Sequence, residues 1–161
     1  PTVWGAERGR GRGQRPRPSR RVREVDQERH AGWNSRLIKS RSTAVEAPFQ
    51  PGVRDCALFF AGAVEAQTGQ DHAAPYRGRY TTIRGGVRIL RKDGFGDHIA
   101  LAAHHLPEIP PSFAQPGDGA VIDTPDGPAL GVVQGERIYV LGIDRLHLMP
   151  RLNATRAFGV R

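Results

Sequence analysis

Gly52-Val53-Arg54-Asp55-Cys56-Ala57-Leu58-Phe59-Phe60 is the stretch of this chain that decides the fold. It places the only cysteine directly after an aspartate, at the start of an apolar run. An aspartate in this position can cap a helix, because its carboxylate accepts hydrogen bonds from the free backbone amides of the first turn. The same amides carry partial positive charge, which favours a thiolate. The stretch therefore predicts a helix with Asp55 as its N-cap and Cys56 as its first residue.

Helical patterns occur on both sides of this stretch. Upstream, Trp33 and Leu37 recur at helical spacing after Asp26, which can cap a helix. Downstream, Thr68-Gly69 ends the cysteine helix with a glycine C-cap signal. The fourth predicted helix should bury Ile99, Ala102, Ala103 and Leu106. The predicted helices cover residues 26–42, 55–67, 81–92 and 96–106, with Thr81 or Thr82 as the cap of the third.

The last third of the chain changes from helical to strand periodicity. Pro107, Pro110 and Pro111 predict irregular structure as far as Pro116. Thr124-Pro125-Asp126-Gly127 is typical of a type I turn, with proline second and glycine fourth. Helices followed by a small antiparallel meander indicate an α+β domain. The predicted strands are residues 120–122, 129–133, 137–141, 145–149 and 157–160.

Charge divides the chain into an arm and a domain. Residues 1–42 hold 12 Lys/Arg and 4 Asp/Glu, whereas residues 43–161 hold 12 of each. Residues 1–25 are rich in arginine, glycine and proline, so we predict a disordered or extended basic arm and an α+β domain over residues 26–161. Such arms contact acidic protein surfaces or nucleic acid, or have no specific role. The predicted contact residues are Arg10, Arg12, Arg15, Arg17, Arg20 and Arg21.

The sequence also limits the class of protein. No stretch approaches the roughly 18 apolar residues that a membrane span needs. The arginine-rich N-terminus lacks the apolar core of a secretory signal. A single cysteine excludes an internal disulfide. We therefore expect no membrane span and no cofactor, and no phosphate-binding or dinucleotide-binding fingerprint is present.

The order of these features resembles two related families. A cysteine at a helix start, a helical half and a Pro-Gly-Asp entry into a short meander are similar to the NlpC-type, papain-like cysteine peptidases. More closely, the chain resembles a phage and prophage family, domain-of-unknown-function family 6950, over about residues 33–161. The matching residues are Trp33, Leu37, Phe49, Asp55-Cys56, Thr68-Gly69, Asp71, Arg77 to Thr81, Gly117-Asp118 and Leu130 to Val133. Members of that family tend to be encoded among tail-assembly genes.

The resemblance implies a catalytic histidine that this sequence lacks. In NlpC-type peptidases a histidine opens the second strand, before a short apolar-Gly-apolar segment. The corresponding segment here is Ala129-Leu130-Gly131-Val132, so alanine stands where the base would be. A thiol with an ordinary pKa of about 8.5 is mostly protonated at neutral pH, and Asp55 disfavours the thiolate further. Cys56 is thus a vestigial, buried residue or a nucleophile with another base.

Six histidines offer candidates for that base. His147 alternates with Leu146 and Leu148, so we predict that it faces solvent on a strand and treat it as a weak base candidate. His98 and His105 share a helix face, but seven residues apart they do not make a close metal pair, and we expect no metal site. His72 lies in polar sequence and indicates no function.

One loop and one overall function remain to be predicted. Arg77 or Arg79 should pair with Asp71 and hold the loop of residues 71–80 against the core. The resemblance implies a structural or assembly component of a phage-like tail, in the tail tip or baseplate region, without catalysis. Its expected partners are other tail proteins or further copies in a ring, with nucleic acid as a third possibility, and its expected location is the virion after assembly in the host cytoplasm. The alternative is a cysteine amidase or peptidase acting on host peptidoglycan through Cys56.

Overall fold

The computed structural model of the chain describes residues 28–161. The predicted basic arm, its six contact arginines and the predicted cap Asp26 lie outside these residues. The described part contains four helices and a six-stranded antiparallel sheet, which confirms the predicted α+β class. None of the helices in this part of the chain is long and apolar enough to cross a membrane. The helices are α1 (Trp33–Glu46), α2 (Cys56–Thr68), α3 (Ile83–Lys92) and α4 (His98–His105).

Local capping chemistry sets the bounds of α2 and α3 as predicted. Asp55 is the N-cap of α2 and accepts a hydrogen bond from the Leu58 amide. Gly69 ends the helix in the left-handed conformation, at φ 75°. Thr82 caps α3 by accepting from the Gly85 amide. Both helices therefore begin and end within a residue or so of the bounds that the sequence predicts.

Helix α1 differs from its prediction at both ends. It begins at Trp33, seven residues later than predicted, because the preceding segment is held in another conformation. The His30 amide donates to the Gln67 carbonyl, and Gly32 is left-handed at φ 73°. The helix continues beyond residue 42 to Glu46, and its C-cap Ala47 is extended because the ring of Pro48 disfavours a helical conformation at the residue before it.

Helix α4 is shorter than predicted. It begins at His98, where Asp97 accepts a hydrogen bond from the Ala100 amide at 2.8 Å. Ile99 and Ala102 are buried, as is Leu106 directly after the helix. Ala103, which was expected in the core, is exposed instead. The apolar face of α4 is therefore narrower than its composition suggests.

The sheet has the strand order β1-β6-β2-β3-β4-β5, and every neighbouring pair is antiparallel. Strands β2 to β5 follow one another as the predicted meander. The last strand returns to lie between β1 and β2, so it does not extend the meander. The strands are β1 (Glu108–Ile109), β2 (Gly119–Thr124), β3 (Gly127–Gln134), β4 (Arg137–Leu141), β5 (Leu146–Pro150) and β6 (Ala154–Phe158).

Two strand predictions are wrong. The proline-rich segment after α4 was expected to be irregular, but Glu108 and Ile109 between the prolines pair with β6. Proline cannot donate to the ladder, so a two-residue strand at the sheet edge is compatible with these prolines. The final strand lies at Ala154–Phe158, three residues before its predicted start, because it pairs with both β1 and β2.

The sheet buries apolar side chains on both faces. The main core lies between the helices and one face, where Phe59 and Phe60 of α2 pack with Leu130 and Val132 of β3. The second core lies on the opposite face and consists of strand side chains together with Ala114. Its buried residues are Ala114, Ala120, Ile122, Val133, Ile138, Val140 and Ala157. Helix α2 is thus fixed against β3.

A buried carboxylate joins the two ends of the described chain. Asp118 has no exposed surface and accepts hydrogen bonds from the backbone amides of Gln115 and Val160, both at 2.9 Å. Arg29 and Arg161 also donate to it, at 3.3 and 3.1 Å. A buried charge is tolerated only when it is paired and hydrogen-bonded, and Asp118 has both kinds of partner. It therefore fastens both termini of the domain to the entry of β2.

Candidate functional site

Both carboxylate oxygens of Asp55 accept structural hydrogen bonds. Asp55 is 1% exposed, and its Oδ1 accepts from the Leu58 amide at 3.0 Å. Its Oδ2 accepts from the Gly52 amide at 2.9 Å and from the Tyr80 hydroxyl at 2.6 Å. These bonds cap α2 and hold two loops against its start. Both oxygens of Asp55 therefore help to hold the start of α2 in place.

The thiol of Cys56 lies at the first position of α2, as predicted, and forms no disulfide. Burial raises its pKa, and the neighbouring Asp55 charge raises it further, to about 11. Backbone amides of the first turn lower the pKa, but burial and Asp55 outweigh them. A thiol with this pKa is almost wholly protonated at neutral pH. The helix N-terminus alone does not activate Cys56.

Tyr80 ties the loop between α2 and α3 to the start of α2. Burial, followed by the hydrogen bond to Asp55, raises the pKa of the Tyr80 hydroxyl, which therefore stays protonated and donates. The Gly78 amide donates to the Gly52 carbonyl at 2.8 Å. Gly52 has φ 80°, and a side chain there would collide with the Tyr80 carbonyl oxygen. Glycine is required at this crossing of the two loops.

The predicted ion pair of this loop is confirmed for Arg77. Its Nε donates to Asp71 Oδ2 at 2.6 Å and its Nη2 to Asp71 Oδ1 at 3.2 Å. This hydrogen bonding raises the pKa of the Arg77 guanidinium. Arg79 instead donates to the Pro75 carbonyl. The arginines of the loop thus have structural partners within the loop itself.

A cavity of about 120 Å³ lies next to the Cys56 thiol. Its walls come from the first turns of α2, from α3, from α4 and from the loop that joins α2 to α3, with Leu130 of β3 as the part contributed by the sheet. Most of the lining is apolar. The polar side chains that reach it include Cys56, His72 and His98. The cavity is therefore the place where chemistry at Cys56 would have to occur.

Sequence reasoning did not identify the histidines of this cavity. The Nε2 atoms of His72 and His98 are buried and have no hydrogen-bond partner. Burial lowers the pKa of both imidazoles, so they are neutral near pH 7. His105 also lines the cavity and stacks on His72 with ring centroids 4.2 Å apart. The assignment of His72 to polar surroundings is wrong, because the loop folds its ring onto an apolar wall.

The strand residue that lines the cavity with Cys56 is Leu130. Ala129, which the family resemblance places at the histidine position, packs with the second core on the other face of the sheet. Leu130 belongs to the main core and lines the cavity with Cys56. Successive side chains of a strand point to opposite faces, so only one of the two can reach the thiol. Neither residue can accept a proton.

The weak base candidate His147 is not among the residues that line the cavity. It lies on β5 opposite Val140, and its side chain is 36% exposed. Its Nε2 lies 2.8 Å from Asp144 Oδ1, and this hydrogen bond lowers the pKa of the Asp144 carboxyl. His147 therefore takes part in a surface contact with Asp144.

Within residues 28–161 no group of three or more His, Cys, Asp or Glu side chains is arranged to hold a metal ion. Of the three histidines that line the cavity, His72 and His105 stack on each other.

The sequence profile of the family described as a domain of unknown function, DUF6950, matches residues 28–160. The chain therefore belongs to this family, and the match covers α1 to α4 and all six strands. Neither the curated proteins nor the solved structures contain a match to the chain.

Proposed function

We propose that this DUF6950 domain is a catalytically silent, papain-like relative of the NlpC-type peptidases that serves as a structural or assembly component of a phage-like tail. The observation that carries the proposal is the state of Cys56. Burial and Asp55 raise its pKa to about 11, and the strand residue that lines the same cavity is Leu130. Losing a positioned general base costs a cysteine hydrolase orders of magnitude in rate. The hydrogen bonds of Asp55 at the start of α2 stabilise the fold.

The tail assignment rests on family membership and on the resemblance described above. In such a role the domain would sit in the tail tip or baseplate region of the virion after assembly in the host cytoplasm. Its partners would be other tail proteins or further copies of itself in a ring. The basic arm of residues 1–25 would supply arginine contacts to acidic neighbours, since guanidinium groups pair with carboxylates through two parallel hydrogen bonds.

The experiment is to measure the protein in purified particles. Wild type, Cys56→Ala and a chain lacking residues 1–25 are each produced during particle assembly, and quantitative mass spectrometry gives their occupancy per particle. The proposal expects Cys56→Ala to match wild type and the truncated chain to fall clearly below it. Absence of the wild-type protein from purified particles would overturn the assignment.

A second candidate function is a cysteine amidase or peptidase acting on host peptidoglycan. His98 favours it, because its unpaired Nε2 is buried at the same cavity as the Cys56 thiol. Substrate binding would then have to bring thiol and imidazole together and lower the thiol pKa. The test is release of peptides from purified peptidoglycan by the full chain. Release that Cys56→Ala and His98→Gln both abolish, and that His147→Gln leaves intact, would replace the assembly proposal.

A further inference from the structure

The cavity beside Cys56 has the size of a small ring. Its volume is about 120 Å³, and it is partly open to solvent. An engineered apolar cavity of about 150 Å³ in another protein takes up benzene, so a single six-membered ring matches the space. Aliphatic and aromatic side chains from α2, α3 and α4 form most of the wall. The lining therefore favours an apolar body of roughly this volume.

The polar atoms of the cavity indicate that a ligand would also carry a hydrogen-bonding group. The Nε2 atoms of His72 and His98 are buried without a partner, whereas the other polar groups around them are already engaged. The Tyr80 hydroxyl donates to Asp55, and the Tyr76 hydroxyl donates to Asp93 at 2.8 Å. Buried polar groups in folded proteins nearly always have a hydrogen-bond partner. Two unpaired imidazole nitrogens at one cavity point to a partner that a ligand supplies.

The charge of the site disfavours an anionic ligand. Both imidazoles are neutral near pH 7 because burial lowers their pKa values. Asp55, which also lines the cavity, already accepts three hydrogen bonds. An anion in this apolar space would be desolvated without a counter-charge and would lie near the Asp55 carboxylate, which is strongly unfavourable. A neutral ligand with one hydroxyl fits, because a hydroxyl can donate to one imidazole nitrogen or accept from another, whichever tautomers are present.

We propose that this cavity binds a phenol, that is, a six-membered aromatic ring with a hydroxyl that pairs with the Nε2 atom of His72 or of His98. The ring packs among the apolar walls next to the Cys56 thiol. The phenol can arrive as a free small molecule or as the tyrosine side chain of a partner protein. This inference does not rest on the proposed role in tail assembly, because it requires neither catalysis nor a particle.

The test compares phenol with toluene, which has the same ring and a methyl group in place of the hydroxyl. Each is titrated into the full chain, and binding is followed by NMR shifts of residues that line the cavity. One net hydrogen bond should make phenol roughly two- to tenfold tighter than toluene. Equal affinities, or no shifts at the cavity with millimolar phenol, would overturn the proposal.

Three matched variants locate the hydroxyl. His72→Phe and His98→Phe keep a ring in each wall and remove the nitrogen, so at least one of them should abolish the preference for phenol. His147→Phe makes the same change on β5, outside the cavity, and should leave the preference intact. A preference unchanged in both cavity variants would contradict the assignment. If these variants do not fold, Ala57→Phe, which fills the cavity from its wall, should abolish phenol binding.

A third titration distinguishes a free small molecule from a tyrosine side chain as the source of the phenol. N-acetyl-tyrosinamide carries the same ring on a peptide-like group that must remain outside the cavity. Binding at least as tight as that of phenol assigns the cavity to a tyrosine side chain, and binding much weaker than that of phenol assigns it to a free small molecule. Failure of both compounds to shift the cavity residues would refute the site itself.

Discussion

Replacing Asp118 by asparagine should be among the most destabilising single changes in the domain. The carboxylate is fully buried and accepts four hydrogen bonds, two at each oxygen. Asparagine offers one oxygen, and its NH₂ group then faces donors that had been satisfied. At least two bonds to a charged acceptor are lost, each worth roughly 1.5–3 kcal/mol, and two arginines lose their counter-charge. We expect a loss of about 3–5 kcal/mol, the range found when one partner of a buried ion pair is removed.

The assay is urea denaturation of the full chain followed by far-UV circular dichroism, with thermal unfolding as a second measure. For a domain of this size the loss corresponds to a decrease in melting temperature on the order of 10 °C. Asp123→Asn makes the same chemical change at an exposed position of β2 and should leave stability within about 0.5 kcal/mol of wild type. A loss below about 1 kcal/mol for Asp118→Asn would refute the view that this carboxylate fastens the two termini.

Three further predictions concern other parts of the domain. Tyr80→Phe removes the 2.6 Å hydrogen bond to Asp55 and should lower the free energy of unfolding by about 1.5–3 kcal/mol, measured in urea. An unchanged value would contradict the view that Tyr80 ties its loop to the start of α2. Deleting residues 1–27 should leave the melting temperature unchanged. Deleting residues 1–29 should lower it measurably, because Arg29 donates hydrogen bonds to Asp118 and to the Pro116 carbonyl. The free energy of unfolding should fall as the pH decreases from about 6.5 to about 4, because burial lowers the pKa of His105 to about 4 and the unfolded chain then binds a proton that the folded chain does not. His105→Gln should make this fall shallower. An identical pH dependence in the variant would contradict the role of His105.

The elements that the sequence predicted well are those whose ends depend on local chemistry. Helix α2 begins after Asp55 and ends at Gly69 because a cap and a left-handed glycine lie within the helix's own sequence. Strand β4 has its predicted bounds, since turns flank it on both sides. In contrast, α1 begins late because the His30 amide bonds to the Gln67 carbonyl, a contact that sequence patterns do not contain. The edge strand at Glu108 likewise exists only through its pairing with Phe158.

The sequence predicted the position of Cys56 in the candidate site but not the residues that surround it. The order of Asp55 and Cys56 indicated a thiol at a helix start, and the structure places it there. The histidines beside it come from a loop and from the start of α4, more than a dozen residues away in sequence, and no spacing rule connects them to Cys56. Leu130 lines the cavity and Ala129 packs on the other face of the sheet, a difference that depends on how the strand lies and that the resemblance does not give.

The most direct test of the account is the pH dependence of Cys56 alkylation in the folded protein. Iodoacetamide reacts with the thiolate, so the rate follows the thiol's ionisation. With a pKa of about 11, labelling should be very slow at pH 7 and should still be rising at pH 10, while the protein unfolded in urea reacts with an ordinary thiol pKa near 8.5. A rate in the folded protein that reaches its plateau by about pH 6 would reveal an activated thiolate and contradict the conclusion that Cys56 is catalytically silent.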